Sequence, residues 1–280
     1  MHFAINTPNF DLYSDARLLA KLAHEAEEAG WDGFFVWDHI GAGPEWPAPI
    51  ADPWVALVAM AMTTRRIKIG PIVTPLPRRR PWKVARESVT LDHLSQGRLI
   101  LGVGIGSDQG REFSCFGEAT DDNLHAEMLD EGLEVLARLW SGETFSCEGK
   151  HYRLSNARFL PKPVQHPRIP VWIAGAWPNK KPFRRAARWD GVCAIGRDHE
   201  LTPQDFGEIT AYLKEERGND TPFDVIAAGH TSGTDKEKDR ATVGSLAEAG
   251  VTWWQEGFDW NYSLEQVRTR IHQGPPGHGL

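Results

Sequence analysis

The sequence predicts an α/β fold, a (β/α)8 TIM barrel in which a closed parallel sheet lies inside a ring of helices. Short apolar segments alternate with longer amphipathic segments along the whole chain and give about eight strand–helix units, as such a barrel requires. The length of 280 residues is close to the ~250 residues typical of one barrel, so a single domain over residues 1–280 is predicted. An open, doubly wound sheet is the alternative, and it is disfavoured because no GxGxxG motif follows the first strand.

In the first half of the chain, residues at the helix ends indicate where the helices start and stop. Ser14 is expected to cap the first helix, and Gly30 is expected to end it. The second helix, Pro53–Met62, begins with proline, as helices often do, and the third, Pro81–Leu94, stops at a polar turn. Short apolar strands alternate with these helices, at Phe3–Asn6, Gly33–Trp37, Ile67–Val73 and Leu99–Val103.

The alternation is interrupted once, near the middle of the chain. A fourth helix carries apolar residues from Leu129 to Trp140 at helical spacing, which indicates packing against the barrel. Phe145–Pro167 is polar and proline-spaced, and we interpret it as an ordered excursion before strand five, packed on the catalytic side. The alternation then resumes with strands at Val171–Ala174, Val192–Ile195, Phe223–Ala228 and Val251–Gln255 and helices at Pro182–Ala187, Pro203–Arg217, Ala241–Ala249 and Leu264–His272.

Composition excludes several classes of protein. The net charge of -7 argues against general binding of nucleic acid, which needs a basic face. The three cysteines are odd in number and far apart, without zinc-ligand spacing, so we expect reduced thiols, no metal site and a cytoplasmic location. Neither a signal peptide nor an apolar run long enough for a membrane span is present, so no membrane partner is expected.

In a barrel of this kind, the loops that follow the strands carry the chemistry. Four of these predicted loops place glycine at the strand end, which suggests a ligand held partly by main-chain groups, although glycine also suits any tight corner. Asp38 and His39 follow the second strand and are the candidate catalytic residues, because histidine exchanges protons near neutral pH. The alternative is a histidine that only makes structural hydrogen bonds in the loop.

Two groups of cations lie on the same predicted face. Arg197 follows Gly196, where a guanidinium and backbone donors could converge on a phosphate. Arg78, Arg79 and Arg80 follow the third strand, with Lys83 nearby. They are interpreted either as a solvated loop or as a basic lip that attracts an anionic cofactor tail.

Several of these segments resemble the luciferase-like family of flavin and deazaflavin oxidoreductases, and the resemblance extends over nearly the whole chain. The clearest are GWDGFFVWDHI at 30–40, IKIGPIVTPLPRRRP at 67–81, LDHLSQGRLILGVGIG at 91–106 and GKHYRLSNARFLPKPVQHPRIPVWIAGAW at 149–177. The resemblance implies a TIM barrel with an excursion. It also implies a reduced cofactor, either coenzyme F-420 or FMN, used to transfer hydride to, or to oxygenate, a small organic substrate.

The resemblance also assigns roles to residues. It implies that His39 is an acid or base beside the cofactor ring and that the backbone around Ile72 supports the ring, often through a non-proline cis peptide. Ser107 stands where deazaflavin-dependent sugar-phosphate dehydrogenases carry a glutamate, so that activity is not expected. The residues expected to contact the cofactor are Pro71, Ile72, Val73, Thr74, Gly106, Ser107, Asp108, Gly175, Ala176, Gly196 and Arg197.

Three questions stay open at this point: the reaction, the cofactor and the oligomeric state. The enzyme could be a monooxygenase that uses reduced FMN and oxygen, or the barrel could bind flavin without catalysis. The four cations near Arg78 favour F-420, because its tail carries several carboxylates whereas FMN ends at its phosphate. Whether the protein forms a homodimer is the third open question.

Overall fold

The computed structural model describes residues 1–41, 43, 48–219 and 221–277 and confirms the predicted barrel. Nine parallel strands form one sheet in the order β3-β2-β1-β11-β10-β9-β8-β5-β4. Their bounds are β1 His2–Thr7, β2 Gly33–Val36, β3 Lys68–Pro71, β4 Thr74–Pro75, β5 Leu101–Gly104, β8 Val171–Trp177, β9 Gly191–Gly196, β10 Asp224–Gly229 and β11 Trp253–Gly257.

The barrel closes between β3 and β5. The Ile100 amide donates to the Ile69 carbonyl at 2.9 Å, and Ile69 forms a parallel bridge with Leu99. The third strand was predicted as one unbroken segment, but a cis peptide between Ile72 and Val73 divides it into β3 and β4. The two pieces therefore occupy one position in the barrel, and the predicted number of eight strand positions holds.

Eight helices surround the described sheet. Asp15 caps the first helix by accepting from the Arg17 amide at 2.8 Å. The predicted cap, Ser14, is wrong by one residue, because its hydroxyl donates to the Asp11 carbonyl in the preceding turn. No helix in the described ranges has the length and apolar composition that crossing a bilayer requires. The helices are α1 Ala16–Glu28, α2 Pro53–Thr63, α3 Pro81–Ser95, α4 Asp122–Trp140, α5 Lys180–Ala186, α6 Pro203–Arg217, α7 Lys236–Glu248 and α8 Leu264–His272.

The excursion between α4 and β8 is ordered, as predicted, and contains an antiparallel hairpin of β6 Phe145–Glu148 and β7 Arg153–Ala157. Its predicted position on the catalytic side holds only for the hairpin turn, where Tyr152 contacts Trp82 at the start of α3 with ring centroids 6.3 Å apart. The later part lies near the other end of α3. The hairpin turn is bound by Glu131 of α4, and the later part is bound by Asp92 of α3. The excursion therefore runs along the outer surface of these two helices, because the buried Asp92 and the half-buried Glu131 satisfy its backbone amides.

Bulky side chains fill only the lower part of the barrel interior. Phe35, Trp172 and Trp253 contact one another with ring centroids 5.3 to 6.1 Å apart. The next inward positions on several strands hold small residues, such as Ala174 and Ala228. This change from large to small side chains leaves space at the carboxyl ends of the strands.

Candidate functional site

A cavity of about 1040 Å³ opens at the carboxyl ends of the barrel strands. Its lining includes the end of β1, the loop after β2, the link between β3 and β4, the loop after β5, the ends of β8 to β11, and the start of α4. Catalytic groups in barrels occur at this face, and ligand cavities of this size class hold cofactors or substrates. This cavity is therefore the candidate active site.

His39 lies on the rim of the cavity and is held by Glu112. Its ring Nδ1 is 3.0 Å from Glu112 Oε1, which also accepts from the amides of Ile40 at 2.8 Å and Gly41 at 3.0 Å. Asn9 holds the backbone of His39, accepting from its amide at 3.2 Å and donating to its carbonyl at 2.7 Å. The histidine is thus fixed from both its main chain and its side chain.

The Glu112 carboxyl is ionised at neutral pH. Burial disfavours its charged form, but the hydrogen bond with His39, the Gly41 amide and the Arg78 guanidinium together lower its pKa to about 2. A carboxylate can only accept hydrogen bonds, so Nδ1 of His39 must be the donor between the two. This arrangement fixes the tautomer and leaves Nε2 as the nitrogen that can exchange a proton.

Asp38 points away from His39 and into a buried ionic cluster. Its carboxylate accepts from Thr74 Oγ1 at 2.7 Å, from Arg78 Nη2 at 3.0 Å and from Arg79 Nη2 at 2.7 Å. Arg78 also pairs with Glu112, so the cluster joins the loop after β2 to the loops after β4 and β5. The Asp38 side chain is fully buried and holds the rim together.

The wall formed by β3 to β5 is shaped by backbone. The cis peptide between Ile72 and Val73 contributes both residues to the cavity lining. Opposite it, a Cβ on Gly102 would lie 2.5 Å from the Pro71 carbonyl oxygen, so only glycine lets these strands approach so closely. The resulting surface is apolar and continues through Gly104.

The far side of the cavity carries the cations. Arg197 and Lys181 are exposed residues that line it, whereas Arg185 is held by both carboxylate oxygens of Asp130 at 2.8 and 2.9 Å. Ile195, which is 55% exposed, lies in the same lining. An apolar surface flanked by two exposed cations suits a flat ligand with an anionic tail.

The structure brings most of the predicted site residues to one cavity. Pro71, Thr74, Asp108 and Gly196 lie outside the described lining. Thr74 supports Asp38, and Asp108 accepts from the Phe113 amide at 2.9 Å within its own loop. The predicted residues that do line the cavity are Asp38, His39, Ile72, Val73, Gly106, Ser107, Gly175, Ala176 and Arg197.

Sequence reasoning missed Glu112, Lys181, Asn6 and Gln255. Glu112 lies in a polar loop that resembles the family, but its role is shown only by its contact with His39 in the structure. The two amide residues belong to strands whose inward face could have been identified from the alternation of side chains. Lys181 follows the glycine-containing loop at the end of β8, and a cation near such a loop is the same pattern that predicts Arg197 as a phosphate ligand.

A sequence model for the luciferase-like monooxygenase family matches residues 1–267. The chain belongs to this family. The match includes every strand of the barrel and ends within α8, so the predicted resemblance is confirmed.

Curated relatives and solved structures agree with this assignment. The F420-dependent glucose-6-phosphate dehydrogenase of Amycolatopsis mediterranei (strain U-32) is 31% identical over 198 residues, which cover 66% of this chain and 55% of that protein. The chain spans about half the length of the curated relatives it matches.

Two solved structures share the fold. An F420-dependent secondary alcohol dehydrogenase, in complex with an F420-acetone adduct, has a TM-score of 0.81 and 17% identity, covering 97% of this chain and 96% of that one. The oxygenating constituent of 3,6-diketocamphane monooxygenase from Pseudomonas putida, in complex with FMN, has a TM-score of 0.74 and 15% identity, covering 98% and 96%.

Proposed function

We propose that this protein is an oxidoreductase that uses a reduced flavin-type cofactor, coenzyme F-420 or FMN, to transfer hydride to, or to oxygenate, a small organic substrate. Membership of the luciferase-like family supports the reaction class. The observation that carries the proposal is His39, held by an ionised Glu112 on the rim of a large cavity at the carboxyl ends of the strands.

The residues of the cavity fit such a cofactor. The wall at Ile72, Val73 and Gly104 would take one face of a flat ring, and the backbone at Gly175 and Ala176 with Arg197 and Lys181 would take its phosphate. When bound, the cofactor supplies the redox chemistry, and the protein supplies position, electrostatics and exclusion of water.

His39 is the group of this chain that moves a proton. Because Glu112 accepts from Nδ1, the proton is taken or given at Nε2 as charge changes on the substrate or ring. The carboxylate keeps the ring in one orientation. Asp38 does not exchange protons in this proposal, since Thr74 and two arginines occupy its oxygens.

We do not extend the proposal to sugar phosphates, although curated relatives carry that name. Ser107, which lines the cavity, offers a hydroxyl rather than a carboxylic acid. The carboxyl of the same loop, Glu112, has a pKa of about 2 and is no proton donor at neutral pH. A small neutral substrate fits these groups better.

The choice between F-420 and FMN is open in this proposal. The prediction of a basic lip is wrong for Arg78 and Arg79, because both guanidinium groups turn inward to Asp38. Arg80 is exposed, and Lys83 pairs with Glu87 on α3. Three of the four cations that favoured the F-420 tail therefore pair with carboxylates of this chain. An FMN-dependent monooxygenase is the second candidate, and a non-catalytic flavin-binding barrel the third.

The test begins with the affinities for F-420 and FMN, followed by turnover with small alcohols, ketones and aldehydes. His39→Asn should retain cofactor binding and the melting temperature while turnover falls by roughly 10²–10⁴-fold, as expected for loss of a general acid or base. His24→Asn, an exposed change on α1, is the matched control. Absence of binding to both cofactors contradicts the proposal, and a collapse of stability in His39→Asn with unchanged turnover contradicts the role of His39.

We also propose that the protein acts in the cytoplasm as a homodimer. Odd, widely spaced cysteines suit a reducing compartment. Val55, Val58 and Met62 are 64%, 43% and 67% exposed along one face of α2. Such a contiguous apolar stripe on the outside of a barrel is typical of a surface covered by a second copy.

A further inference from the structure

The inner end of the cavity rests on an apolar floor whose own polar groups are satisfied. The indole N–H groups of Trp172 and Trp253 each donate to the Asp224 carboxylate at 3.1 Å, below the cavity. Phe35 packs against both rings, and Ile226 belongs to the same cluster. A ligand that reaches the floor therefore finds no charged group to pair with there.

Above this floor, one pair of buried amides interrupts the apolar surface. Asn6 at the end of β1 and Gln255 in β11 both line the cavity, and Asn6 Nδ2 donates to Gln255 Oε1 at 2.9 Å. They are 9% and 1% exposed. Ala228 lies opposite Gln255 in the sheet register and is too small to cover the pair.

Each amide of this pair has one polar atom left without a partner among the described residues. These atoms are Oδ1 of Asn6, an acceptor, and Nε2 of Gln255, a donor. Exchanging the two amide orientations again leaves one acceptor and one donor, so the conclusion does not depend on that assignment. Buried polar groups are normally hydrogen-bonded, and an unpaired one costs stability, so this pair calls for a ligand.

We infer that Asn6 and Gln255 bind an uncharged substrate group that presents a hydrogen-bond donor and an acceptor side by side, as a carboxamide or lactam does. The amides are neutral and their surroundings apolar, which disfavours a charged group. The terminal torsion of an amide side chain is soft, so a small rotation presents both atoms to the cavity. This inference rests on the proposed function for the reaction that follows binding, but not for binding itself.

The position of the pair favours the substrate over the cofactor. β1 and β11 lie two and three strands away from β3 in the sheet order, so the pair faces the cavity from across the wall at Ile72 and Val73. A cofactor ring placed against that wall leaves the two amides free to contact the substrate. The pyrimidine edge of a flavin-type ring offers the same donor and acceptor chemistry, and the experiment must separate the two sources.

The first measurement compares benzamide with acetophenone on the protein without cofactor, using ligand-observed NMR to obtain dissociation constants. The two probes have nearly the same shape, but acetophenone has no donor for Asn6 Oδ1. We expect benzamide to bind roughly 10-fold more tightly, because its rival leaves a buried acceptor unpaired. Equal affinities in the wild type overturn the inference, whatever the protein does with F-420 or FMN.

The second measurement uses the variant Asn6→Leu with Gln255→Met, which replaces the amides by apolar groups of similar size. It should bind the two probes equally and melt no lower than the wild type, since the amides have unpaired buried atoms. Gln204→Met, on the outer helix α6, should keep the preference for benzamide. Discrimination that persists in the double variant overturns the inference, and if that variant does not fold, the single Gln255→Met change is judged by the same criterion.

A third measurement repeats the benzamide titration with F-420 or FMN bound. Simultaneous binding, with the benzamide dissociation constant changed by less than about 3-fold, assigns the amide pair to the substrate. Mutually exclusive binding assigns it to the cofactor ring and overturns the substrate inference. A protein that binds neither cofactor fails the proposed function, yet can still pass the first two measurements, so the two failures are distinguishable.

Discussion

Glu112 connects more of the cavity rim than any residue identified from the sequence. It accepts from the His39 ring and two backbone amides, and it pairs with Arg78. Its pKa is lowered from 4.5 to about 2, so the folded state binds its proton less well than the unfolded chain does. The carboxylate therefore contributes stability above pH 4.5, and this contribution is lost as the pH falls toward 2.

Comparison with Glu112→Gln isolates that contribution. Between pH 4.5 and 2, the free energy of unfolding of the wild type should fall more steeply than that of the variant, by ~1.4 kcal/mol per pH unit. Urea unfolding at a series of pH values measures both slopes. Parallel slopes would show that the carboxyl is not held ionised by its partners.

A second prediction at this scale concerns Asp38. Asp38→Asn leaves the buried guanidinium groups of Arg78 and Arg79 without their shared counter-charge, which should cost about 3–5 kcal/mol of stability. Asp198→Asn, exposed on another loop, should cost almost nothing. Urea denaturation measures the free energy of unfolding of both variants and of the wild type. A stable Asp38→Asn protein that has lost turnover would instead support the catalytic role that the sequence first suggested.

The sequence could predict His39 but not its partner. A histidine directly after an apolar strand is a local signal, and the barrel rule places that position at the catalytic face. Glu112 lies 73 residues away, in a loop without periodicity, and its importance arises only when the loops after β2 and β5 meet. The inward turn of Arg78 and Arg79 is hidden for the same reason.

At the scale of elements, local chemistry predicted each barrel helix and strand, although α7 begins at Lys236, five residues before the predicted start at Ala241. Cap residues, glycine stops and apolar stripes act within a few residues and are legible in the sequence. The course of the excursion could not be predicted from the sequence, because it depends on carboxylates that are distant along the chain. Asp92 in α3 accepts from the Val164 amide at 2.7 Å and from Gln165 Nε2 at 2.7 Å, more than 70 residues along the chain.

Asp92→Ala should therefore release the second half of the excursion. Loss of these hydrogen bonds exposes the amides of residues 164 and 165 to solvent. Hydrogen exchange at these amides should become faster by at least ~10-fold, which corresponds to a loss of about 1.4 kcal/mol of local stability. Thr90→Ala, an exposed change on the same helix, is the control. Uniform loss of protection throughout the barrel would show instead that Asp92 supports the core.

For the whole molecule, the apolar stripe on α2 is the clearest feature that one barrel does not explain. A helix on the outside of a barrel normally turns polar residues to solvent, yet Val55, Val58 and Met62 are all exposed. Positions three and four residues apart share one face of a helix, so the three side chains form one strip. A two-fold axis beside α2 would pack the strip against its own copy, as isologous interfaces do.

Val58→Lys should then shift the protein from dimer to monomer, because a like-charged, strongly hydrated ammonium would be buried near its symmetry mate. Light scattering coupled to size-exclusion chromatography measures the mass directly, against 31.3 kDa for one chain. Glu215→Lys makes a charge change of the same sign on α6 and should leave the mass unaltered. A wild type that elutes as a monomer at high micromolar concentration would contradict the homodimer.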